Sequence, residues 1–230
     1  MKKDLYYSVK PMKTYDSWLS GLLNKFTRNY TREEIAASFN LSGKSCLDIA
    51  CGDGDLINNY LSGRYIEATG IDISPKLIKQ AKLRKANNAF FKVGDIDQFV
   101  DQMVIQGKKY NDIYLLAILE HIQWPTIFIK KLTKILDKQG RIIIEVPNSV
   151  WLPHRLSMVL GKFPVTAPTV GVIPGVFDEH IRFFTHKTLN KIMKDTGFKL
   201  LKTDCSGKFR FIKKLYPSLF SPDIVAVYEK

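Results

Sequence analysis

"LDIACGDGDL", residues 47–56, carries an apolar run into a turn that holds Gly52, Gly54 and the acids Asp53 and Asp55, with Asp48 just before it. A strand that breaks at glycines and resumes as a helix aims backbone N–H groups at one ligand, and glycine lets that ligand come close to the main chain. A dinucleotide-binding turn of the form G-x-G-x-x-G would need a third glycine at position 57, which is Ile57. Acids beside a pyrophosphate would also repel it. The turn therefore suits a nucleoside that carries positive charge and no phosphate.

From Lys44 onward, short apolar or β-branched runs alternate with helical patterns, as in a mostly parallel sheet covered by helices. Strands are expected at 45–50, 65–72, 89–95, 112–119 and 141–147. Ser74 and Pro75 provide an N-cap and first-turn proline for a helix to about Lys85. Phe128, Leu132 and Ile135 share the face of a second helix that Gly140 can close, and Thr185 can cap a third that stops at Gly197. The runs "FKLLKTDC" and "DIVAVYEK" read as a final antiparallel pair joined by a long basic connection. The expected fold is α/β and Rossmann-like: a seven-stranded sheet, mostly parallel with a C-terminal antiparallel hairpin, with helices on both faces. One domain is expected over 1–230. Within it, 1–43 is a helical cap bearing Tyr6, Tyr7, Tyr15, Trp18, Leu22 and Phe26, 44–147 is the cofactor-binding core, 148–185 is an apolar substrate lid, and 186–230 is the C-terminal helix and hairpin.

At 230 residues and 45% hydrophobic content, the chain can bury a full core. It has no apolar run long enough to span a bilayer and no signal-peptide pattern, which makes the cytoplasm the expected location, with peripheral membrane association open. Cys46, Cys51 and Cys205 are odd in number and lack metal-ligand spacing, so neither a disulfide framework nor a zinc site is expected. The net charge of +13 suits an anionic partner or a lysine-rich soluble surface equally. Residues 181–230 hold eleven Lys/Arg against four Asp/Glu, whereas 148–180 hold two of each, in a proline-rich apolar setting that suits a lid.

S-adenosylmethionine meets the demand of the opening turn, with an adenosine, a sulfonium, an α-ammonium and no phosphate. The turn resembles the first motif of the class I S-adenosylmethionine-dependent methyltransferases, and later segments follow in that family's order: "GIDIS", "VGDID", "LLAILEHI", "GRIIIEVPN" and "DEHIRFFTHKTLNKIMKDTGFKL". The last is similar to the small-molecule, ubiquinone-biosynthesis-like branch, and the resemblance covers about residues 40–230. It implies that Asp48 organises the turn and meets the methionyl ammonium, while Ala50, Cys51, Gly52 and Gly54 line the ligand. It gives both ribose hydroxyls to Asp72, the adenine face to Ile73, the adenine amine to Asp95 with a backbone contact from Ile96, and the methionyl end to the backbone near Ala117. Read from its residues alone, Cys51 is a small packing side chain, because no neighbouring His or Lys would activate it.

Methyl transfer from a sulfonium is an in-line displacement with an activated leaving group, so a base is needed only if the acceptor must lose a proton. His121 and His180 are the candidate bases, with Glu120 and Glu179 beside them. The stretch with Trp151, Leu152, Phe163 and Phe177 favours an apolar or lipid-linked acceptor if it is a lid, and a buried packing loop would look the same; the first reading is methyl transfer to O or N of a small-molecule intermediate, apolar, lipid-linked or glycan. Lys208, Arg210, Lys213 and Lys214, interleaved with Phe209 and Phe211, could rest on an anionic membrane or bind a phosphorylated carrier. RNA or other nucleic acid is the alternative substrate, though the fourth strand is followed by "AILEH" and not by the Asn-Pro-Pro-aromatic tetrapeptide of nucleic-acid amino-methylating enzymes. A non-catalytic S-adenosylmethionine-binding protein is the third reading.

Overall fold

The computed structural model describes residues 28–84, 86–162 and 180–230. Seven strands form one sheet: β1 Gly43–Ile49, β2 Tyr65–Asp72, β3 Ala89–Val93, β4 Tyr110–Leu116, β5 Leu136–Pro147, β6 Lys199–Asp204 and β7 Asp223–Glu229, in the order β3-β2-β1-β4-β5-β7-β6. The first five pair in parallel, and β7 runs antiparallel between β5 and β6. The strand order reverses between β1 and β4, the point at which an open α/β sheet leaves a crevice at its carboxyl edge.

The helices are α1 Arg32–Ala37, α2 Pro75–Leu83, α3 Ile96–Ile105, α4 Pro125–Leu132, α5 Leu152–Val159, α6 His186–Asp195, α7 Arg210–Leu215 and α8 Pro217–Phe220. One face of the sheet buries Leu47, Ile49, Ile113, Ile142 and Ile144 against apolar residues of α3, α4 and α6. The other face buries Cys46, Ala68, Tyr114 and Ile143 against α1, α2 and Leu56, Ile57 and Leu61. Strand alternation produces this two-sided core, since successive side chains point to opposite faces. Below the second face, Asp112 on β4 is fully buried, accepts from the Tyr65 hydroxyl at 2.6 Å and pairs with Arg141 at 2.6 and 2.8 Å. That network ties β2, β4 and β5 together, and its carboxylate is satisfied on both oxygens, as a buried charge requires.

Several expectations need correction. Gly140 does not close a helix: α4 ends at Leu132 with Thr133 as its C-cap, and β5 has already begun at Leu136. At Gly140 a Cβ would collide with the Leu136 side chain, so the glycine serves close packing within the strand. Strand β4 stops at Leu116, because Ala117 takes φ +51 and Leu119–His121 forms a 3-10 turn. The glycine turn leads into a π-helical turn, Leu56–Leu61, in place of a regular α-helix. The basic connection before β7 holds α7 and α8. Of the expected N-terminal cap, 28–43 contains α1, whose Thr31 and Glu34 form a reciprocal capping box; Tyr6, Tyr7, Tyr15, Trp18, Leu22 and Phe26 lie outside the described residues. So do Phe163, Phe177 and Glu179 of the expected lid, which retains α5 among the described residues.

Candidate functional site

The carboxyl ends of β1–β4 converge on a cleft of about 490 Å³, lined by Ala50, Asp72, Ile73, Asp95, Ile96, Ile118, His121, Trp124 and neighbours on α4. Beneath the glycine turn lies a second recess of about 100 Å³, lined by Arg32, Glu33, Asp48, Ala50, Cys51, Gly52, Asp53, Asp55, Leu56 and Leu116. Ala50 belongs to both. One long ligand can therefore lie across the turn, with its ends in different chemical settings.

The turn is built to come close to such a ligand. Ala50 (φ +60), Gly52 (φ +55) and Gly54 (φ +76) all take left-handed backbone, which is costly for any residue with a Cβ. A Cβ on Gly54 would sit 2.8 Å from the Phe91 ring, whereas one on Gly52 would meet no atom within 4 Å. Gly54 is thus needed for packing, and Gly52 keeps space open. Asp72 Oδ2 accepts from Gly52 N–H at 3.0 Å and its Oδ1 from Ser74 N–H at 2.8 Å, which locks the turn to the end of β2. Each oxygen keeps a lone pair for a ligand.

Asp48 is 3% exposed at the floor of the recess. Burial pushes its carboxyl well above the usual carboxylate range, Glu33 and Asp72 add to the rise, and Arg32 opposes it. A ligand ammonium beside it would reverse the effect, since an opposite charge favours the ionised form. Arg32 stands between Glu33, at 2.8 Å, and Glu145 on β5, at 3.9 Å. Glu145 is pushed up to about 8 by burial and by Asp223, and its Oε2 is buried without a hydrogen-bond partner among the described residues.

Asp95 is exposed on the cleft and caps α3 by accepting from Gln98 N–H at 3.0 Å. Ile73, 72% exposed, and Ile96 flank the same space. Ala117 lies between Leu116 in the recess and Ile118 in the cleft. Cys51 is buried with its thiol pushed up by burial and then by Asp48 and Asp72, which removes nucleophile character.

His121 and His180, distant in sequence, come together with ring centroids 5.0 Å apart. The main chain beyond His180 is held by Ile181 and Arg182 N–H groups, which donate to the Glu120 carbonyl at 3.1 and 3.0 Å. His180 Nε2 lies 3.9 Å from Oε1 of Glu120, itself 1% exposed, and one potential ligand atom from each of Glu120, His121 and His180 falls within 4.8 Å of the others. Sequence reasoning named these residues singly; their gathering depends on the crossing of two remote segments. Arg32 and Glu33 were missed altogether, as were Trp124 and Lys131. The Thr31–Glu34 capping box was legible, but nothing local says that α1 puts its first residues under the glycine turn.

A sheet of this order with an acidic, glycine-lined crevice at its carboxyl edge defines a class I, Rossmann-like nucleoside-binding domain. The chain belongs to the methyltransferase domain family, whose profile matches residues 23–203. It is 24% identical over 129 residues to a ubiquinone biosynthesis O-methyltransferase of Xanthomonas oryzae pv. oryzae, over 56% of this chain and 54% of that protein; the chain thus spans about half the length of the curated relatives it matches. Two solved structures share the fold: an S-adenosylmethionine-dependent methyltransferase from Mesorhizobium loti (TM-score 0.61, 12% identity, 87% of this chain and 98% of that one) and one from Archaeoglobus fulgidus (TM-score 0.55, 19% identity, 93% and 100%). The chain thus carries a methyltransferase domain, and its fold is shared with these S-adenosylmethionine-dependent methyltransferases of known structure.

Proposed function

We propose that the protein transfers the methyl group of S-adenosylmethionine to an oxygen or nitrogen of a small-molecule biosynthetic intermediate, apolar, lipid-linked or glycan in character. The observation that carries the reading is Asp72, held by Gly52 and Ser74 at the join of the adenosine-sized cleft and the recess that contains Asp48. Asp72 accepts from the ribose hydroxyls, Ile73 and Ile96 flank the adenine, and Asp95 takes its amine. In the recess Asp48 faces the methionyl ammonium and Arg32 the methionyl carboxylate, so a zwitterion meets one charge of each sign. The protein supplies alignment and exclusion of water, because the sulfonium is already a good leaving group.

His121 lines the cleft and His180 packs edge-on against it at 5.0 Å, which supports an imidazole as the base for an acceptor hydroxyl or amine that must shed its proton. The low-identity likeness to ubiquinone biosynthesis O-methyltransferases supports an oxygen acceptor. Calorimetric titration with S-adenosylmethionine and S-adenosylhomocysteine tests the cofactor site. Asp72→Ala should weaken binding about a hundredfold, the worth of two charge-assisted hydrogen bonds, and Asp72→Asn by less. Unchanged affinity in a folded Asp72→Ala protein would overturn the assignment.

A further inference from the structure

Helix α7 is built inside out. Its cations point inward: Arg210 pairs with the fully buried carboxylate of Asp204 with Nε at 2.7 Å, Lys214 reaches the same carboxylate at 2.9 Å, and Lys213 donates to the Ser206 carbonyl at 2.7 Å. Its apolar residues point to solvent, with Phe211 66%, Ile212 49% and Leu215 71% exposed. A helix of a water-soluble surface shows the opposite arrangement. Helix α5, joined to α8 through an Arg155 to Ser218 hydrogen bond of 3.4 Å, buries none of its residues and leaves Val159 83% exposed. Among the described residues, the two helices and α8 thus form an apolar patch beyond the scatter expected of single exposed hydrophobics.

The charge around that patch has one sign. Residues 148–162 and 205–222 contain no Asp or Glu, and six Lys or Arg, of which Arg210 and Lys214 are paired with the buried Asp204. Lys162 and Lys208 are exposed at its margins. The patch joins the sheet at the same carboxyl edge as the site: α5 follows the carboxyl end of β5, and α8 leads into Asp223 at the start of β7, which pairs with Pro147. We propose that α5, α7 and α8 form a docking surface for an anionic phospholipid bilayer, with the exposed aromatics and aliphatics entering the interface and the marginal lysines meeting the headgroups. A second copy of this chain would set Lys162 and Lys208 against their own kind across the same face, at +13 per chain. Among the described residues no helix is long and apolar enough to cross a membrane, so contact through this face would be peripheral. The inference rests on the lipid-linked reading of the acceptor only for its purpose.

Vesicle flotation of the full chain tests the surface without cofactor or acceptor. Phosphatidylcholine vesicles containing phosphatidylglycerol should carry the protein; pure phosphatidylcholine and high salt should release it. The double variant Phe211→Ser, Leu215→Ser should lose about tenfold or more in vesicle affinity while keeping its thermal midpoint and S-adenosylmethionine affinity. Lys208→Gln should weaken binding only to the anionic vesicles. Three results would overturn the proposal: no flotation by folded wild-type protein, flotation indifferent to the double variant, or sedimentation showing that Phe211 and Leu215 instead hold a dimer together.

Discussion

Asp48 shows how one buried side chain can connect cofactor binding to pH. Its carboxyl is held well above the ordinary range chiefly by burial, so the free protein keeps that proton to a higher pH than an ordinary carboxylate would. The methionyl ammonium favours the carboxylate, so binding should release a proton. Calorimetry in two buffers of different ionisation enthalpy measures that release directly, and Asp48→Asn should abolish it while lowering affinity. A binding enthalpy that does not depend on buffer would remove Asp48 from the ammonium site. Arg32 gives a separate test, because it lies half-exposed between acids and is the cation of the recess. Arg32→Ala should cost about tenfold or more in affinity for S-adenosylmethionine, the worth of one charge-assisted hydrogen bond. The loss should be smaller for a ligand that lacks the carboxylate, such as methylthioadenosine. Equal losses for both ligands would make its role structural.

The glycine turn is the element on which local sequence and tertiary structure both act, and its two central glycines should respond differently to the same substitution. Gly54→Ala drives a Cβ to 2.8 Å from Phe91 and 2.9 Å from Ala81, besides its φ of +76; a loss of about 2–3 kcal/mol in stability is expected by urea unfolding. Gly52→Ala meets no protein atom and should cost only about 1 kcal/mol from backbone strain, yet it should impair cofactor binding more than Gly54→Ala for its cost in stability. Equal stability losses would contradict this division of labour. The same turn explains what was legible beforehand. Strand β2 was read at its observed bounds, because apolar periodicity and the closing Asp72 are local signals. The Gly140 stop failed because a glycine after a helical pattern looks alike whether it caps the helix or lets a Leu136 side chain pack across a strand. Arg32 and the His121–His180 meeting were invisible for a different reason: each needs two segments brought together by the sheet, and no spacing along the chain encodes that distance.

Across the whole molecule, buried titrating groups set opposing slopes of stability with pH. Glu145 has an ordinary value of 4.5 when unfolded and about 8 when folded, so between these values the folded state binds the extra proton and stability falls as pH rises. Arg32, Glu33, Glu120 and Asp223 face it, and only Arg32 favours its charged form. His186 is held below its ordinary 6.5 by burial, so the folded state stays neutral where the unfolded chain would protonate, and stability is lost as pH falls below that value. Asp204 is lowered by Arg210 and Lys214, which adds a loss at still lower pH. The cofactor-free protein should therefore be most stable in slightly acidic solution, and its thermal midpoint should decline from about pH 6.5 towards 8. Glu145→Gln keeps the shape, removes one of the two raised carboxyls and should make that alkaline decline shallower, leaving the share that belongs to Asp48, without altering the acid limb. If the wild-type midpoint instead rose through this interval, or the Glu145→Gln protein kept the decline undiminished, Glu145 would not be a group that bears the proton.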